Sequence, residues 1–244
     1  MPRFFVDLAD VGPETIVIRE DVHHIANVLR MREGDILTLC DGQGTDYETS
    51  IQAVQNDQIL CRILSRERSQ AEPLIQIALF QGLPKSDKME TILQKGTELG
   101  ISAFIPVEMK RSVARSDAKK DPKKRERWQK IAESAAKQSG RGRIPTVEGT
   151  VSLAEILPQI ANFDLFLVPY ENGQEHPLKI VLNGKEKPLK AAILIGPEGG
   201  IDPSEIEKLT QAGAVIVGLG PRILRTETAG PAASAMLLYH FDEM

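Results

Sequence analysis

The feature that most limits the fold is an alternation beginning at Leu74, in which short apolar runs are separated by helical patterns. The runs are nearly continuous in Ile, Leu and Val, as is typical of strands buried on both faces of a parallel sheet. The predicted strands are residues 74–83, 103–107, 164–168, 191–195 and 214–217. The predicted helices are residues 86–99, 122–138, 153–160, 203–212 and a last helix ending near Tyr239. The pattern therefore predicts an α/β fold with a parallel sheet covered by helices.

Local signals support two of these helices. Asp202 is followed by Pro203 at the first helical position and by Glu205 three residues later, the pattern of a capped helix start, and Gly213 is a helix stop. Gly96 lies on the apolar face of the first helix. Because glycine in a helix costs up to ~1 kcal/mol relative to alanine, we expect close packing against Gly96.

The first seventy residues have a different pattern, in which short β-type runs are separated by Gly, Asp and Asn turns. The predicted strands are residues 4–6, 15–18, 36–39, 47–54 and 59–64. A helix is predicted over residues 21–31, with Asp21 as its N-cap. Its apolar stripe consists of Val22, Ile25, Val28 and Leu29. These elements predict a small β-barrel over residues 1–71, followed by the α/β domain over residues 72–244.

Glycine-rich or polar loops follow three predicted strands of the α/β domain, at residues 169–172, 196–202 and 218–228. Ligands in open α/β sheets bind beyond the carboxyl ends of the strands, and glycine lets the main chain approach a flat ligand closely. The third loop crowds Arg222, Arg225 and Glu227 against two threonines. Its composition indicates a binding loop, although an ordinary strand-to-helix turn with a solvated salt bridge remains the alternative.

Several common motifs are absent from the sequence. It contains no P-loop, dinucleotide-binding fingerprint, serine-hydrolase elbow or zinc-protease motif. The four histidines do not cluster at metal-binding spacing, so no metal site is predicted. Glycine loops without a phosphate-binding motif favour a nucleoside-like ligand, such as an adenine ring held by backbone groups.

A net charge of −4 conceals a basic segment from Lys110 to Arg143, which has thirteen Lys and Arg against four Asp and Glu. This segment indicates a polyanionic partner, with RNA as the first candidate, or alternatively a solvated helix face with a mobile loop. The N-terminus does not resemble a signal peptide, and no apolar run approaches the ~20 residues of a membrane span. Cys40 and Cys61 lack a metal-binding pattern. We therefore expect a cytoplasmic protein with no membrane partner.

Residues 194–202 (LIGPEGGID) and 219–229 (LGPRILRTETA) resemble the paired cofactor motifs of the SPOUT methyltransferases. Residues 23–35, 81–100 and 135–145 add a closer similarity, in the same order, to the ribosomal RNA small subunit methyltransferase E family. This resemblance covers nearly the whole chain. It implies an N-terminal PUA-like β-barrel, a C-terminal α/β domain with a trefoil knot, and a homodimer. Periodicity alone would predict a plain doubly wound sheet without a knot.

The same resemblance implies an activity: methylation of N3 of a uridine in 16S rRNA of the small ribosomal subunit, with S-adenosylmethionine as methyl donor. Carried over by position, the cofactor-binding residues are Val168, Pro169, Ile195, Gly196, Pro197, Gly199, Gly200, Leu219, Gly220, Ile223, Leu224, Thr228 and Ala229. The candidate RNA-binding residues are Arg3, His23, Arg30, Arg32, Lys85, Lys88, Arg111 and Arg115.

Methyl transfer to uridine N3 suggests roles for residues of the third loop. N3 carries a proton and becomes a good nucleophile only when that proton is lost, so the site must stabilise a developing anion. Arg225 is the candidate for this catalytic role, and Glu227 or a water molecule is the candidate proton acceptor. Alternatively, Arg225 only holds the loop by pairing with Glu227. Glu198 could face the positive charge of the donor or merely orient its own loop.

Three other functions compete with this interpretation. A related enzyme that methylates the ribose 2′-oxygen would carry an SLNVS-like segment where this chain has ILRTETA. An RNA-binding assembly factor without catalysis is a second alternative, and a nicotinamide-dependent oxidoreductase is a third. The last helix is apolar around Met236 and Tyr239, so we expect it to be either wholly buried or part of the implied dimer contact.

Overall fold

The structure is a computed structural model that describes residues 2–115, 121–173 and 176–244. The chain divides by its contacts into two compact units. Unit 1 consists of Met1–Glu72 and Ala136–Ile144, and unit 2 consists of Pro73–Ala135 and Pro145–Met244. The segment Ala136–Ile144 is distant in sequence from the rest of unit 1, so no local pattern predicts where it belongs.

Unit 1 is built on one five-stranded sheet. Its strands are β1 (Arg3–Phe5), β2 (Thr15–Ile18), β3 (Ile36–Cys40), β4 (Thr45–Val54) and β5 (Ile59–Arg68). The strand order is β1-β3-β4-β5-β2, with β1 parallel to β3 and the other neighbours antiparallel. Alternate residues of these strands, such as Leu37 and Leu39, are fully buried in a common core.

The helix predicted over residues 21–31 is wrong in its type and extent. A π-helix covers only His24–Val28, and its closing bond joins the Leu29 N–H to the His24 carbonyl. Of the predicted stripe only Ile25 is buried, while Val28 and Leu29 are 58% and 41% exposed. A helix of five residues presents about one side chain to the core, and the left-handed backbone of Arg30 (φ 57°) prevents its continuation.

A buried ion pair fastens residues 136–144 within unit 1. Arg141 Nη2 lies 2.8 Å from Glu72 Oε2, and both side chains are less than 8% exposed. Glu72 Oε1 also accepts the backbone N–H groups of Gly142 and Arg143, each at 3.0 Å. Gly142 is required here because a Cβ at that position would lie 2.3 Å from the Ser69 side chain.

Unit 2 contains a parallel sheet of seven strands, which confirms the predicted α/β fold. The strands are β6 (Gln76–Gly82), β7 (Ile101–Glu108), β8 (Thr146–Val147), β9 (Val151–Ser152), β10 (Leu165–Pro169), β11 (Lys190–Ile195) and β12 (Val215–Val217). Their order is β12-β10-β11-β6-β7-β8, and β9 also pairs with β7.

Helices cover both faces of this sheet. They are α1 (Lys88–Glu98), α2 (Asp121–Ser139), α3 (Leu153–Ile156), α4 (Leu178–Leu182), α5 (Pro203–Gln211) and α6 (Thr226–His240). A short 3₁₀ helix, Leu157–Asn162, follows α3. Successive residues of β11 enter different cores, with Ile193 on one face of the sheet and Leu194 on the other. Among the described residues, no helix has the length and apolar character of a membrane span.

The predicted capping and packing signals of unit 2 are confirmed. The Asp202 carboxylate accepts the Ser204 N–H at 3.1 Å, and the Glu205 carboxylate accepts the Asp202 N–H at 3.2 Å. Gly213 has a left-handed backbone (φ 97°), as expected of a helix stop. A Cβ at Gly96 would lie 2.7 Å from the Phe104 ring, so the close packing is against side chains of β7.

The last helix is not wholly buried. Leu237 and Leu238 are buried in the core, but Met236 is 42% exposed and Tyr239 is 78% exposed. The first alternative for this helix is therefore wrong, because it packs against the sheet along part of its circumference only.

Candidate functional site

A cavity of about 280 Å³ opens in unit 2, close to the lower end of the roughly 300–1,000 Å³ that small-molecule sites span. Its wall is formed by the segments that follow β10, β11 and β12, and is completed by Lys88 at the start of α1. The three loops singled out in the sequence therefore meet at one place. Ten residues of the predicted cofactor set line the cavity: Pro169, Ile195, Gly196, Pro197, Gly200, Leu219, Gly220, Ile223, Leu224 and Ala229.

Three predicted cofactor residues lie outside the cavity wall. Val168 is fully buried in the core on one face of the sheet, since it precedes Pro169 and points the other way. Gly199 packs against Arg111, because a Cβ added at the glycine would lie 3.1 Å from the Arg111 Cβ. Thr228 is an exposed residue of α6.

A buried chain of hydrogen bonds fixes two of the cavity loops. Gln81, at the end of β6, donates from Nε2 to Thr226 Oγ1 at 2.8 Å. The Thr226 hydroxyl in turn donates to the carbonyl of Gly196 at 2.7 Å. β6 also approaches this loop closely, because a Cβ at Gly82 would lie 2.6 Å from Pro197 N. The start of α6 and the β11 loop are therefore held against the central strand.

An ionic bridge joins Lys88, a residue of the cavity wall, to the β11 loop and to the start of α6. Lys88 Nζ lies 3.1 Å from Glu198 Oε1 and 3.2 Å from Glu227 Oε2. The backbone N–H of Lys85 adds a hydrogen bond to Glu198 Oε1 at 3.0 Å. The hydrogen bond to Glu198 is the main reason that the pKa of Lys88 is raised. Lys88 therefore remains protonated, joined to loops more than a hundred residues away in sequence.

Both carboxylates of this bridge stay ionised. Burial raises the pKa of Glu198, but hydrogen bonds from its own backbone and from Lys85, with the Lys88 contact, outweigh burial and lower it. A hydrogen bond with its own backbone lowers the pKa of Glu227, and the charges of Lys88 and Arg225 lower it further against the effect of burial. Glu198 orients its loop through these bonds, in agreement with one of the two interpretations of that residue.

Arg225 is the N-cap residue of α6, with an extended backbone (φ −66°, ψ 154°). Its side chain is exposed and lines the cavity. Its carbonyl accepts the N–H groups of Thr228 and Ala229 at 2.9 Å. Among the described residues no ion pair joins Arg225 to Glu227, whose partner is Lys88. The guanidinium is thus available to a ligand.

The RNA-binding candidates of unit 1 lie in different environments. Arg3 is held by Asp46, with Nη2 2.6 Å from Oδ1, and its side chain is 24% exposed. His23 is exposed at the start of the π-helix, and Arg30 and Arg32 are exposed beyond its end.

The candidates of unit 2 lie near the β11 loop and the end of β7. Lys85 is exposed, and Arg111 donates from Nη1 to the Gly199 carbonyl at 3.2 Å. Arg115 Nη1 lies 3.0 Å from Glu108 Oε1. Lys88 differs from these because it lies in the cavity wall. Residues 116–120 of the predicted basic segment lie outside the described residues.

Sequence reasoning missed several residues of the cavity wall. These are Tyr170, Glu171, Ile201, Arg222 and Thr226, together with Lys88 and Glu198 as a pair. A usable signal was present for the hydrogen-bond chain, since Gln81 is a polar residue inside an apolar strand run. A buried polar side chain requires a partner, and that partner is Thr226.

Two cysteines, both free and buried, are among the possible metal ligands in the described part of the chain. No group of three or more His, Cys, Asp or Glu residues converges there on a possible metal site. Burial raises the pKa of Cys40 to about 12 and that of Cys61 to about 11, so both thiols stay protonated and unreactive.

Comparisons with known proteins identify relatives of both parts of the chain. Residues 70–238 match the family model described as RNA methyltransferase domain, and residues 17–64 match the model described as RNA methyltransferase PUA domain. The cavity lies within the first of these matches. The chain is 40% identical to the ribosomal RNA small subunit methyltransferase E of Bacillus subtilis, over 99% of this chain and 98% of that protein.

Two further relatives show the same end-to-end similarity. The ribosomal RNA small subunit methyltransferase E of Mycobacterium bovis is 35% identical, over 94% of this chain and 88% of its own. A crystal structure of the Neisseria gonorrhoeae protein of this name, bound to S-adenosyl methionine, superimposes with a TM-score of 0.82 at 30% identity. The superposition covers 98% of this chain and 97% of that one.

Proposed function

The chain belongs to the ribosomal RNA small subunit methyltransferase E family, and on that premise we propose that it methylates N3 of one uridine in 16S rRNA, with S-adenosylmethionine as methyl donor. One observation carries the proposal: the cavity of unit 2, walled by glycine loops, lies in the matched methyltransferase segment of a chain that superimposes throughout its length on a relative bound to the cofactor.

The residues of the cavity fit S-adenosylmethionine chemically. Ile195, Leu219 and Ile223 offer apolar surface for an adenine ring, and Gly196 and Gly220 leave backbone groups accessible to its edge. The wall carboxylate of Glu171 suits the positive charges of the cofactor, whereas that of Glu198 is already paired with Lys88. The cofactor carries no phosphate, which agrees with the absence of a phosphate-binding motif in the sequence. When bound, it supplies an electrophilic methyl group on a sulfonium.

Arg225 is proposed to stabilise the uridine anion that forms when N3 loses its proton. Its guanidinium lines the cavity without an ion pair to Glu227, and negative charge develops on the two uracil oxygens that flank N3. Donors directed at such a charge contribute about 10²- to 10³-fold in rate. Replacement of Arg225 by alanine is therefore expected to lower turnover by this factor while the affinity for the cofactor is retained.

Glu227 is the weaker candidate for the proton acceptor. Its pKa is lowered by the hydrogen bond with its own backbone and by the charges of Lys88 and Arg225, which makes its carboxylate a poor base. This favours a water molecule as the acceptor of the N3 proton. The role then left to Glu227 is to hold Lys88 in the cavity wall.

The proposed function is tested with small ribosomal subunits that lack the modification. The purified protein is incubated with them and with S-adenosylmethionine labelled in its methyl group, and the labelled nucleotide is mapped. We expect one labelled uridine in 16S rRNA, and about 10²- to 10³-fold slower labelling by the Arg225→Ala variant. Binding of the subunits without any incorporation would instead identify an assembly factor.

Finer structural features implied by the family are also proposals. We propose that the α/β domain, residues 72–244, contains a trefoil knot involving the β11 and β12 loops. The close approach of Gly82 to Pro197 and the bond from Thr226 to Gly196 support this threading. A crystal structure traced through residues 190–240 tests it, and an unthreaded trace contradicts it.

We also propose a homodimer and RNA binding by both domains, with residues 1–71 as a PUA-like β-barrel. The exposed Met236 and Tyr239 of α6 support a dimer contact, and mass measurement by light scattering tests it, with a monomer as the contradicting result. The exposed Arg30, Arg32 and Lys85 are proposed phosphate contacts. Substitution of each by alanine should weaken rRNA binding and reduce its salt dependence.

A further inference from the structure

Lys88 stands apart from the other basic residues because two carboxylates hold it in the cavity wall. Its ammonium lies 3.1 Å from Glu198 and 3.2 Å from Glu227, and its side chain is 29% exposed. A lysine ammonium has three N–H donors and no acceptor. The two carboxylates pair with this ammonium as ions, and Lys88 also lines the cavity, so its N–H donors can be directed to a ligand there.

The position of Lys88 is unfavourable for its own helix. It is the first residue of α1, where the helix dipole favours negative rather than positive side chains. The chain reaches this position through Ser86, a non-glycine residue with a left-handed backbone (φ 54°). Local strain and a misplaced charge persist where the surrounding structure enforces them, as occurs at functional sites.

The charged residues of the wall can be compared with the charge that develops on uracil, which shows what the Lys88 ammonium could stabilise. The charged side chains of the wall, other than Lys88, are those of Glu171, Glu198, Arg222 and Arg225. Uracil has two carbonyl oxygens, one on each side of N3, and both gain negative charge when the N3 proton is lost. Arg225 can meet one of these oxygens. Of the other two cations of the wall, Arg222 is exposed, whereas Lys88 is held by two carboxylates and can serve as the donor to the second oxygen.

We propose that Lys88 is a catalytic residue that donates an N–H to the second uracil oxygen and stabilises the anion formed at N3. This assignment rests on the proposed function and adds to it a second cationic donor, fixed in advance by Glu198 and Glu227. Preorganised donors of this kind are effective because they need no rearrangement as charge develops. The raised pKa of Lys88, caused mainly by its hydrogen bond to Glu198, keeps it protonated while uridine ionises.

The role is tested with Lys88→Met, which keeps most of the side-chain volume and removes the charge. Lys88→Arg tests rescue, since it retains a cation. The matched control is Lys95→Met, a change in the same helix at an exposed lysine paired with Glu98 at 2.9 Å. Thermal unfolding and isothermal titration with S-adenosylmethionine establish that each variant folds and binds the cofactor.

Single-turnover methylation is then measured from neutral to mildly alkaline pH. We expect Lys88→Met to be about 10²- to 10³-fold slower at neutral pH, with a cofactor Kd within about fivefold of wild type. The deficit should shrink as pH rises above the pKa of the uridine bound to the wild type, because loss of the cation raises that pKa and alkali restores ionisation in the variant. Lys88→Arg should recover part of the rate, and Lys95→Met should match wild type.

A deficit that is equal at every pH, or that is matched by an equal loss of cofactor affinity, would overturn the proposal and leave Lys88 a structural role. Wild-type rates in Lys88→Met would overturn it as well. If the wild-type protein itself methylates no uridine N3, the proposed function fails instead, so the two failures are distinguishable.

Discussion

Removal of the Thr226 hydroxyl should destabilise unit 2 and weaken cofactor binding, because it releases the Gly196 loop of the cavity wall. In Thr226→Val the shape of the side chain is nearly kept, but the bonds from Gln81 and to Gly196 are both lost. Thr226 is 7% exposed and Gln81 is fully buried, so water cannot readily replace either bond. Gln81 Nε2 keeps its 3.0 Å bond to the Gly82 carbonyl. One Gln81 N–H and the Gly196 carbonyl lose a partner, and each such loss costs about 1–3 kcal/mol.

We therefore expect a destabilisation of about 2–4 kcal/mol in unit 2. The fluorescence of Trp128 reports on this unit during urea denaturation, because it is the single tryptophan of the chain and lies in the core of unit 2. The affinity for S-adenosylmethionine should fall about tenfold, since the Gly196 loop is no longer held.

The control for this experiment is Thr210→Val, which removes an exposed hydroxyl bonded to the Ile206 carbonyl within α5. It should change stability by less than about 0.5 kcal/mol. If Thr226→Val behaves like this control in both stability and affinity, the hydrogen-bond chain does not organise the cavity and the reasoning is refuted.

Four further outcomes are expected. Arg141→Met leaves the Glu72 carboxylate buried without its cation, so urea denaturation should show unit 1 destabilised by about 3–5 kcal/mol. Gly196→Ala places a Cβ 2.7 Å from Ile201, so calorimetric titration should show at least about tenfold weaker cofactor binding. The pKa of Glu227 is lowered in the folded protein, so its ionised carboxylate stabilises the fold at pH above the ordinary value of 4.5. This stabilisation is lost as pH falls through the pKa of the folded state. Glu227→Gln should therefore be less stable than wild type at neutral pH, with the difference vanishing in acid. Filter binding of rRNA should weaken steeply with added salt, and a flat salt dependence would contradict the role of the basic segment.

Local sequence signals predicted the parts of the fold that depend on neighbouring residues. The capped start of α5 at Asp202 and its stop at Gly213 depend on side-chain and backbone geometry within a few residues, so the sequence reveals them directly. The alternation of apolar runs and helical patterns also predicted the parallel sheet, because strands buried on both faces are apolar along their whole length. The three loops could be grouped because the carboxyl ends of parallel strands share one edge.

Contacts between distant residues could not be predicted in this way. Lys88 is bridged to Glu198 and Glu227, which lie 110 and 139 positions further along the chain. No helical or strand period links residues so far apart. The attachment of residues 136–144 to unit 1 depends on the carboxylate of Glu72 and on backbone bonds to residues 42–44, all distant in sequence. The π-helix at His24–Val28 also differed from prediction, because an apolar stripe indicates helical spacing but not how much of the helix the core can accept.

Transfer of a methyl group to uracil N3 by this chain is decided by the chemical identity of the product. Small-subunit rRNA that has been treated with the purified protein and S-adenosylmethionine is digested to nucleosides and compared by chromatography and mass spectrometry with authentic standards. We expect N3-methyluridine, formed by the wild-type protein and strongly reduced in Gly196→Ala. A 2′-O-methylated nucleoside, or no methylated product from a protein that binds the cofactor, would contradict it.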